Sequence, residues 1–518
     1  MNSKKMYLKA HKQFEIKNYD AALRILDKIK KGDPKFPTAY YLEAIIWHEL
    51  KNSVKEYYAL EKIIPLLDTS KEEGRKVAAE IFSHMGDACS ALGLIEESTR
   101  FNTLSMKLVK FTEIISVLIF GAHLRENSSV ADFQALYDEY KSCLADIAPY
   151  PRKFYAHEKI RVGFLSADFR RHAVFYWSCA LLTKLDKNRF ETYFYSSSKS
   201  SDVVTENLQK TANGWRDISA LTDKEAAKII HDDEIDILFD LSGHSEGTRL
   251  PVMAYRPASV QMSGVGYMNS TGLDCVDYFL SDIYCAGDEA FFAEKVIKLP
   301  HSHICYEPQE EIAPAPLPPC IKNGYVTFGC FNKFAKITDS ILIAWKKILD
   351  AVPNSRLILK NDLGLTEDGI NFTNKRLKNF GFDLNRVEIR PFGGNYLVEY
   401  GDIDIAPDTF PYTGGVTTCD ALYMGVPVVS LYGARHGTRF GLSILKNIRL
   451  DELAVDSYDD YIQRAIMLAG DWELLTLLRK NIRAMMLNSA VMNWQIYIRD
   501  VERAFIKILN DERSRIDD

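Results

Sequence analysis

A glycine-containing stretch between two apolar runs carries residue types suited to holding a phosphate. It spans Asp402–Leu431 and reads DIDIAPDTFPYTGGVTTCDALYMGVPVVSL. An apolar run predicts a buried strand ending at proline and aspartate, after which Gly414 and Gly415 precede a helical pattern. The first amides of a helix have no partner within it and lie at the positive end of its dipole, so they bind anions. The stretch therefore predicts a phosphate-binding β–α–β unit; an ordinary turn with Thr418 as helix cap is the alternative.

Four polar residues near predicted strand or helix ends could add chemistry to that loop. Asp420, just inside the predicted helix, suits a hydroxyl such as that of a ribose. His172, His244 and Lys336 each follow a predicted strand. Alone, a loop histidine is more often a surface residue or a local hydrogen-bond partner than a catalytic group. In a protein with two α/β halves, however, all would face one cleft, where a lysine neutralises a leaving diphosphate and a histidine orients or deprotonates an acceptor.

Composition narrows the class of protein. The chain has 518 residues, 47% hydrophobic and 26% charged, with a formal net charge of −6. These values predict a soluble globular protein of two to four domains without a general nucleic-acid surface. No apolar run reaches the ~20 residues of a membrane span, and the start lacks the apolar core of a signal peptide. Nine scattered cysteines without a CxxC pair indicate reduced thiols and a cytoplasmic location, and no metal-ligand spacing appears.

Residues 1–150 have a helical pattern with internal repetition. Ala10–Pro34 fits the 34-residue tetratricopeptide pattern, with small residues at Ala10 and Ala22 and a closing proline. A blurred second copy and a third, GDACSALGLIEESTRF, follow. We therefore expect about three helix pairs whose stacked surface binds peptides or partner chains, and self-association is possible. An irregular helical domain without such a role is the alternative.

From Pro151 the pattern changes to alternating strands and helices, which predicts parallel α/β sheets. Strand patterns occur at 159–169, 189–197, 234–244, 258–267 and 277–282, and again at 325–332, 355–361, 386–392 and 428–431. A proline-rich segment, Glu310–Cys320, separates the two sets. Neither set carries GxGxxG after its first strand, so a dinucleotide cofactor is not expected. The predicted domains are residues 1–150, 151–318, 319–490 and 491–518, the last a helix packing back on the core.

Several long motifs in this order resemble one family. YRPASVQ, FNKFAKI and DTFPYTGGVTTCDALYMGVPVV are the most specific, within a likeness that runs over residues 155–450 and follows helical repeats. They resemble the O-linked N-acetylglucosamine transferases and the Spindly O-fucosyltransferases, which form glycosyltransferase family 41. The resemblance implies a GT-B fold, two Rossmann-like halves facing a cleft. It also implies an inverting, metal-independent transfer from a nucleotide sugar to Ser or Thr of proteins, with UDP-N-acetylglucosamine as the expected donor and no cofactor.

The resemblance also assigns roles by position. Lys336 matches the lysine that stabilises the leaving diphosphate, and His172 matches a histidine near the sugar and acceptor. His244 occupies a position whose role in the family is less clear, and we group it with these two as a catalytic candidate. The expected donor-binding residues are Gly266, Tyr267, Asn332, Tyr396, Gly414, Gly415, Val416, Thr417, Thr418 and Asp420.

Departures from the family pattern concern the donor. Met268 stands where the family usually has proline, and Tyr396 where a histidine often packs on the base, although a tyrosine ring also stacks there. GDP-fucose as donor and asparagine as acceptor are therefore alternatives within the class. Outside it, a non-catalytic repeat scaffold and a nucleotide-sugar epimerase are alternatives. The intact lysine and histidine argue against the scaffold, and the repeats argue against the epimerase.

Overall fold

The computed structural model describes residues 3–517, and their packing forms two compact units. One unit comprises the residues up to Arg125 together with Gly329–Tyr396. The other comprises Glu126–Phe328 and the residues from Leu397 onward. These units, called here the repeat unit and the core unit, each join segments that are distant in the sequence. The domain bounds predicted from the sequence stay a prediction.

Eight helices come first in the described part of the chain, so the helical character predicted for residues 1–150 is confirmed, with more helices than the expected three pairs. They are α1 (Ser3–Glu15), α2 (Tyr19–Gly32), α3 (Pro37–Glu49), α4 (Ser53–Glu61), α5 (Glu72–Ala91), α6 (Ile95–Leu108), α7 (Thr112–Leu124) and α8 (Val130–Cys143). Small residues let neighbouring helices approach closely: Ala10 and Ala22 are fully buried, and a Cβ on Gly86 would lie 2.3 Å from Oδ1 of Asn102. The tetratricopeptide assignment of these helices stays a prediction.

A seven-stranded parallel sheet forms the centre of the core unit. Its strands are β1 (Ile160–Ser166), β2 (Phe190–Ser196), β3 (Gly214–Asp217), β4 (Ile237–Asp240), β5 (Val260–Gly264), β6 (Tyr278–Asp282) and β7 (Lys295–Leu299), in the order β3-β2-β1-β4-β5-β6-β7. The connecting helices are α9 (Ala173–Thr183), α10 (Val203–Thr211), α11 (Asp223–Asp232) and α12 (Leu250–Ala254). Parallel sheets place the carboxyl ends of all strands at one edge, where ligand-binding loops collect.

Two three-stranded sheets follow. The order β10-β9-β8 contains β8 (Thr327–Cys330), β9 (Arg356–Asn361) and β10 (Val387–Pro391), with α13 (Cys320–Asn323), α14 (Asp339–Ala351), α15 (Glu367–Asn379) and α16 (Tyr396–Glu399) along the chain. The order β11-β12-β13 contains β11 (Ala406–Pro407), β12 (Val428–Leu431) and β13 (Ala454–Val455), with α17 (Val416–Tyr423), α18 (Phe440–Asn447), α19 (Tyr458–Gly470) and α20 (Trp472–Leu487).

The final helix, α21 (Trp494–Asp517), packs on the large sheet of the core unit. The Phe505 ring lies 6.4 Å from that of Phe190 and 6.2 Å from that of Phe239, measured between centroids. The Tyr278 hydroxyl donates to Oε1 of Glu512 over 2.6 Å. Within residues 3–517, no helix combines the length and the apolarity that crossing a membrane requires.

The sequence patterns miss three short strands. β3 and β7 are the edge strands of the large sheet, and β13 has two residues at the edge of its own. An edge strand pairs on one side only and need not be apolar, which is why GWRD and KVIKL carry so many charges. The central strands β4 and β5, in contrast, are buried throughout and are apparent in the sequence.

Candidate functional site

The phosphate loop predicted from the sequence leads directly into α17. This helix begins at Val416 and its N-cap is Gly415, so Thr418 as the cap residue is wrong. Because glycine has no side chain, nothing on the cap residue itself can occupy the first amides. Val416, Thr417 and Thr418 supply those amides, and their position at the positive end of the helix suits a diphosphate.

Packing requires the two glycines of the loop. A Cβ on Gly415 would lie 2.0 Å from Cζ3 of Trp177, a residue of α9. A Cβ on Gly414 would lie 2.5 Å from Oγ1 of Thr418 and 2.7 Å from Oγ1 of Thr417. A larger residue at Gly415 must displace Trp177 or the helix start, and one at Gly414 must displace the side chains of the two threonines.

A buried carboxylate holds the loop in place. Oδ1 of Asp408 accepts hydrogen bonds from the backbone amides of Gly414 and Thr409, both over 2.8 Å. Its Oδ2 accepts from the Ser430 hydroxyl over 2.8 Å, and the Tyr461 hydroxyl donates to its backbone carbonyl over 2.7 Å. The Gly414 amide is therefore engaged by Asp408, which leaves the anion-binding role to the amides that follow it.

The opposite end of α17 is held by a buried cation. The Arg479 guanidinium, 2% exposed, donates to the carbonyl oxygens of Met424 over 3.1 Å, of Tyr400 over 3.3 Å, and of Ile403. Burial lowers the pKa of Arg479 to about 10, so it remains charged at neutral pH. A cation at the carboxyl end complements the helix dipole and satisfies carbonyls that lack a partner within the helix.

Asp420, the predicted ribose acceptor, lies in the second turn of α17. Its carboxylate is 1% exposed, and the Tyr306 hydroxyl donates to its Oδ1 over 2.5 Å. A charge-assisted bond of this kind fixes the orientation of the carboxylate. Sequence reasoning gave Tyr306 no role, because it lies 114 positions earlier in the chain and its contact with Asp420 arises only in the folded structure.

His172 is the N-cap of α9, directly after β1. Its Nδ1 accepts from the Val174 amide over 3.3 Å and lies 3.4 Å from Oδ2 of Asp168. Asp168 is buried, which raises its carboxyl pKa; charge interaction with His172 acts in the opposite direction. The histidine side chain is 37% exposed and accessible to a substrate. Asp168 and His172 are the first and last residues of the DFRRH motif, so the sequence brought them close together, but only His172 was predicted as a site residue.

Gly266 and Tyr267 follow β5 at the same edge of the sheet. A Cβ on Gly266 would lie 1.9 Å from the Leu241 carbonyl oxygen, so only glycine fits. Tyr267 is 2% exposed, and its ring lies 5.8 Å from the ring of His244. The pair is therefore packed into the sheet edge rather than lying on a mobile loop.

His244 is buried among aromatic rings. Its Nε2 donates to the Thr271 carbonyl over 2.8 Å, and its ring meets that of Tyr140 edge-on at 4.8 Å. Burial lowers the pKa of His244 to about 4, so the ring is neutral at pH 7. A neutral ring that already donates to a carbonyl supports the fold under Tyr267. Its predicted catalytic role stays a prediction.

The remaining predicted residues, Asn332, Lys336 and Tyr396, belong to the repeat unit. Asn332 is buried after β8, and Tyr396 is the half-buried first residue of α16. Lys336 ends the 3₁₀ turn Phe334–Lys336 and is half-buried.

That 3₁₀ turn is held by Arg376 of α15. The Arg376 guanidinium lies 5.2 Å from the centre of the Phe334 ring and donates to the Ile337 carbonyl over 3.0 Å. A Cβ on Gly93, in the turn between α5 and α6, would lie 2.7 Å from Nη1 of the same arginine. The repeats therefore pack directly against the segment that carries Lys336.

Comparison with known proteins shows the family. The model of glycosyl transferase family 41 matches residues 140–310 and 320–501. The chain belongs to this family. The "Probable UDP-N-acetylglucosamine--peptide N-acetylglucosaminyltransferase SPINDLY" of Hordeum vulgare is 35% identical over 382 residues, 72% of this chain and 40% of that protein. The protein of the same description from Arabidopsis thaliana is 36% identical over 355 residues, 67% of this chain and 39% of that one. The chain thus spans about two fifths of the length of these curated relatives.

A solved member of similar length has the same fold. A mutant of the O-GlcNAc transferase from Thermobaculum terrenum superposes with a TM-score of 0.88 at 27% identity, covering 99% of this chain and 98% of that one. The predicted fold class, an α/β GT-B fold preceded by a helical region, is confirmed. The family assignment made from the YRPASVQ, FNKFAKI and glycine-loop motifs is confirmed as well.

Proposed function

We propose that the chain is a protein glycosyltransferase that uses a nucleotide sugar, with UDP-N-acetylglucosamine as the expected donor. The observation that carries the proposal is the start of α17, where the first helical amides follow a glycine cap. Asp408 fixes the loop before this helix, and Arg479 binds carbonyl groups at its carboxyl end. Such a helix start binds a diphosphate without further reorganisation. The names of the relatives from Hordeum vulgare and Arabidopsis thaliana include UDP-N-acetylglucosamine and a peptide, which supports the same classes of donor and acceptor.

The donor would lie along α17. Its diphosphate meets the amides of Val416, Thr417 and Thr418, and a ribose hydroxyl donates to Asp420, which Tyr306 orients. Lys336 neutralises the charge that develops on the leaving diphosphate. Preorganised donors of this kind each contribute roughly 10²–10³-fold to kcat in other enzymes. No metal ion is needed at the reacting bond in this scheme, because the lysine and the helix dipole supply the positive charge.

The acceptor would meet His172. We propose that a serine or threonine hydroxyl attacks the anomeric carbon from the face opposite the diphosphate, so that the configuration inverts. The Val174 amide donates to Nδ1 of His172, which places the ring proton of the neutral histidine on Nε2. In that tautomer Nε2–H donates to the acceptor oxygen and positions it. His244 supports the sugar site through Tyr267 and takes no part in proton transfer.

We propose that the helical repeats contact the acceptor protein. Stacked helix pairs present an extended surface suited to peptides, and here they also contact the turn that carries Lys336. We propose that the enzyme acts on cytoplasmic proteins, and self-association through the repeats is compatible with this role.

The decisive experiment identifies the donor and the acceptor in two separate steps. Purified protein is incubated with UDP-N-acetylglucosamine, GDP-fucose and other nucleotide sugars, and release of the nucleoside diphosphate is measured. The protein is then co-expressed with candidate acceptors, whose intact masses reveal the added sugar. We expect UDP release and the mass of one N-acetylhexosamine on serine or threonine. A fucose mass would change the donor, a modified asparagine the acceptor, and no turnover with any donor would indicate a scaffold.

A further inference from the structure

Three buried side chains of the core unit converge at a point that the proposed reaction does not use. Sγ of Cys285, and one ring nitrogen each of His303 and His436, lie within 4.8 Å of one another. Cys285 follows β6, His303 follows β7, and His436 begins the 3₁₀ turn after β12. The three are at most 1% exposed. No sequence motif joins them, since His303 and His436 are 133 positions apart.

Hydrogen bonds fix which nitrogen of each histidine is available. Nδ1 of His303 bonds to Oδ2 of Asp282 over 2.5 Å, and Nδ1 of His436 bonds to the Met268 carbonyl over 3.1 Å. A carboxylate and a carbonyl both accept, so each Nδ1 is engaged as a donor and each Nε2 is the ring nitrogen left for a metal ion. In the described structure both Nε2 atoms are buried without a hydrogen-bond partner. The Cys285 thiol donates to the His436 carbonyl over 3.5 Å, so these residues bring together one thiol and two buried ring nitrogens that lack a partner among the described residues.

We propose that Cys285, His303 and His436 supply three ligands to a zinc ion that stabilises the core unit. Two imidazoles and one thiolate are a borderline-soft set that suits zinc, and the Asp282–His303 pair repeats the carboxylate–histidine–metal arrangement that orients such ligands. Ligand atoms around tetrahedral zinc lie about 3.3–3.8 Å apart, so small side-chain movements would close the site. On binding, the thiol releases its proton to solvent, and the thiolate together with the Asp282 carboxylate balances the charge of the ion.

The enclosed surroundings favour a role of the ion in stabilising the fold over a role in the reaction. The rings of Phe279 and Phe440 meet that of His436 edge-on at 5.1 and 5.4 Å, so the site is enclosed by apolar groups. The amide and hydroxyl of Thr413 both donate to the Gly437 carbonyl, over 3.3 and 3.1 Å. His436 thus lies directly behind the glycine loop, and Met268 connects it to Tyr267. The ion would brace the proposed diphosphate and sugar sites against each other.

Metal content and spectroscopy test the proposal on the intact chain. Protein expressed with zinc and purified without chelators should contain one zinc per chain by elemental analysis. Replacing zinc by Co²⁺ should produce a thiolate-to-cobalt charge-transfer band. Chelation should lower Tm, and added zinc should restore it. Cys285→Ser should remove the band and most of the zinc, whereas Cys305→Ser, which changes another buried thiol, should keep both.

Two results would overturn the zinc site. The first is wild-type protein without stoichiometric zinc and without a cobalt–thiolate band under saturating metal. The second is a folded Cys285→Ser variant that retains the zinc content of Cys305→Ser. If Cys285→Ser does not fold, the wild-type cobalt spectrum decides alone. Metal content and Tm are measured without nucleotide sugar, so failure here leaves the proposed glycosyl transfer untouched.

Discussion

The indole of Trp177 lies against Gly415, the residue that caps α17, so closely that a Cβ there would be 2.0 Å from Cζ3. Trp177 belongs to α9, whose own cap is His172. One ring contact therefore sets the start of the proposed donor helix relative to the helix that carries the proposed acceptor residue. The relative positions of the proposed donor and acceptor residues therefore depend on Gly415 having no Cβ atom.

Gly415→Ala should weaken donor binding. The added methyl must displace either Trp177 or the start of α17, so we expect the donor KM to rise at least about tenfold, comparable to losing one well-placed hydrogen bond to a charged group. Gly470→Ala is the matched control, because a Cβ there meets nothing within 4 Å. Adding Trp177→Leu to Gly415→Ala should recover part of the affinity by making room. Equal KM values for Gly415→Ala and the wild type would contradict the packing argument.

Tyr306→Phe tests the orientation of Asp420. Removing the hydroxyl deletes a 2.5 Å bond to the carboxylate, and we expect the donor KM to rise about threefold to tenfold while Tm changes little. Tyr195→Phe removes a similar 2.9 Å bond to Asp233 in the same unit but away from α17. That control should leave the donor KM unchanged. An unchanged KM in Tyr306→Phe would remove Tyr306 from the donor site.

Lys336→Ala tests stabilisation of the leaving group. If the lysine neutralises the developing diphosphate charge, kcat should fall at least about 100-fold with little change in Tm. Lys333→Ala alters an exposed lysine three positions earlier and should retain wild-type turnover. Single-turnover rates with a saturating donor would separate chemistry from binding. Full turnover in a folded Lys336→Ala protein would refute the leaving-group role.

The pair Asp168 and His172 distinguishes positioning from general-base catalysis. If His172 were a general base, its Nδ1–H would have to donate to Asp168. The Asp168→Asn variant would then lower kcat by roughly 10²–10⁴-fold, the usual contribution of proton transfer. With Nδ1 accepting from Val174, as proposed, Asp168→Asn should cost less than about tenfold. His172→Ala should instead raise the acceptor KM together with lowering kcat. A loss of about 100-fold or more in Asp168→Asn would assign His172 the role of base.

Sequence patterns predicted the elements and the loop but not the contacts that complete them. Strand β12 begins and ends where its apolar run does, since Val428–Leu431 is buried throughout. The pattern placed the helix near Thr417 and Thr418 because threonine is a common cap, whereas packing with Trp177 makes Gly415 the cap. Periodicity reports burial along one element; it carries no information on which distant residue fills the adjacent space.

The same limit explains the other residues that were missed. Asp408 was interpreted only as a turn former, although its carboxylate receives the Gly414 amide. Tyr306 reaches Asp420 from beyond β7, and Cys285, His303 and His436 come from three separate loops. Each of these contacts depends on tertiary structure. Lys336 and His172, in contrast, could be proposed from the sequence because each follows a predicted strand, which is a local signal.

The buried state of His244 has a consequence for stability against pH. Its folded-state pKa of about 4 lies below the ordinary value of 6.5, so the unfolded chain binds this proton more tightly. Stability from His244 is therefore complete above about pH 6.5 and is lost as pH falls toward 4. Burial raises the pKa of Asp240 to about 6, and this acts in the opposite direction, because the folded state keeps a proton that the unfolded chain releases.

His244→Gln isolates the histidine, because Asp240 is present in both proteins and its effect cancels in the difference. Glutamine can still donate to the Thr271 carbonyl but does not titrate. Between pH 7 and pH 5, the unfolding free energy of the wild type should fall more than that of His244→Gln, measured by urea denaturation at each pH. His11→Gln, at an exposed histidine of α1, is the control and should follow the wild-type pH dependence. Parallel curves for the wild type and His244→Gln would show that the ring is not held neutral by burial.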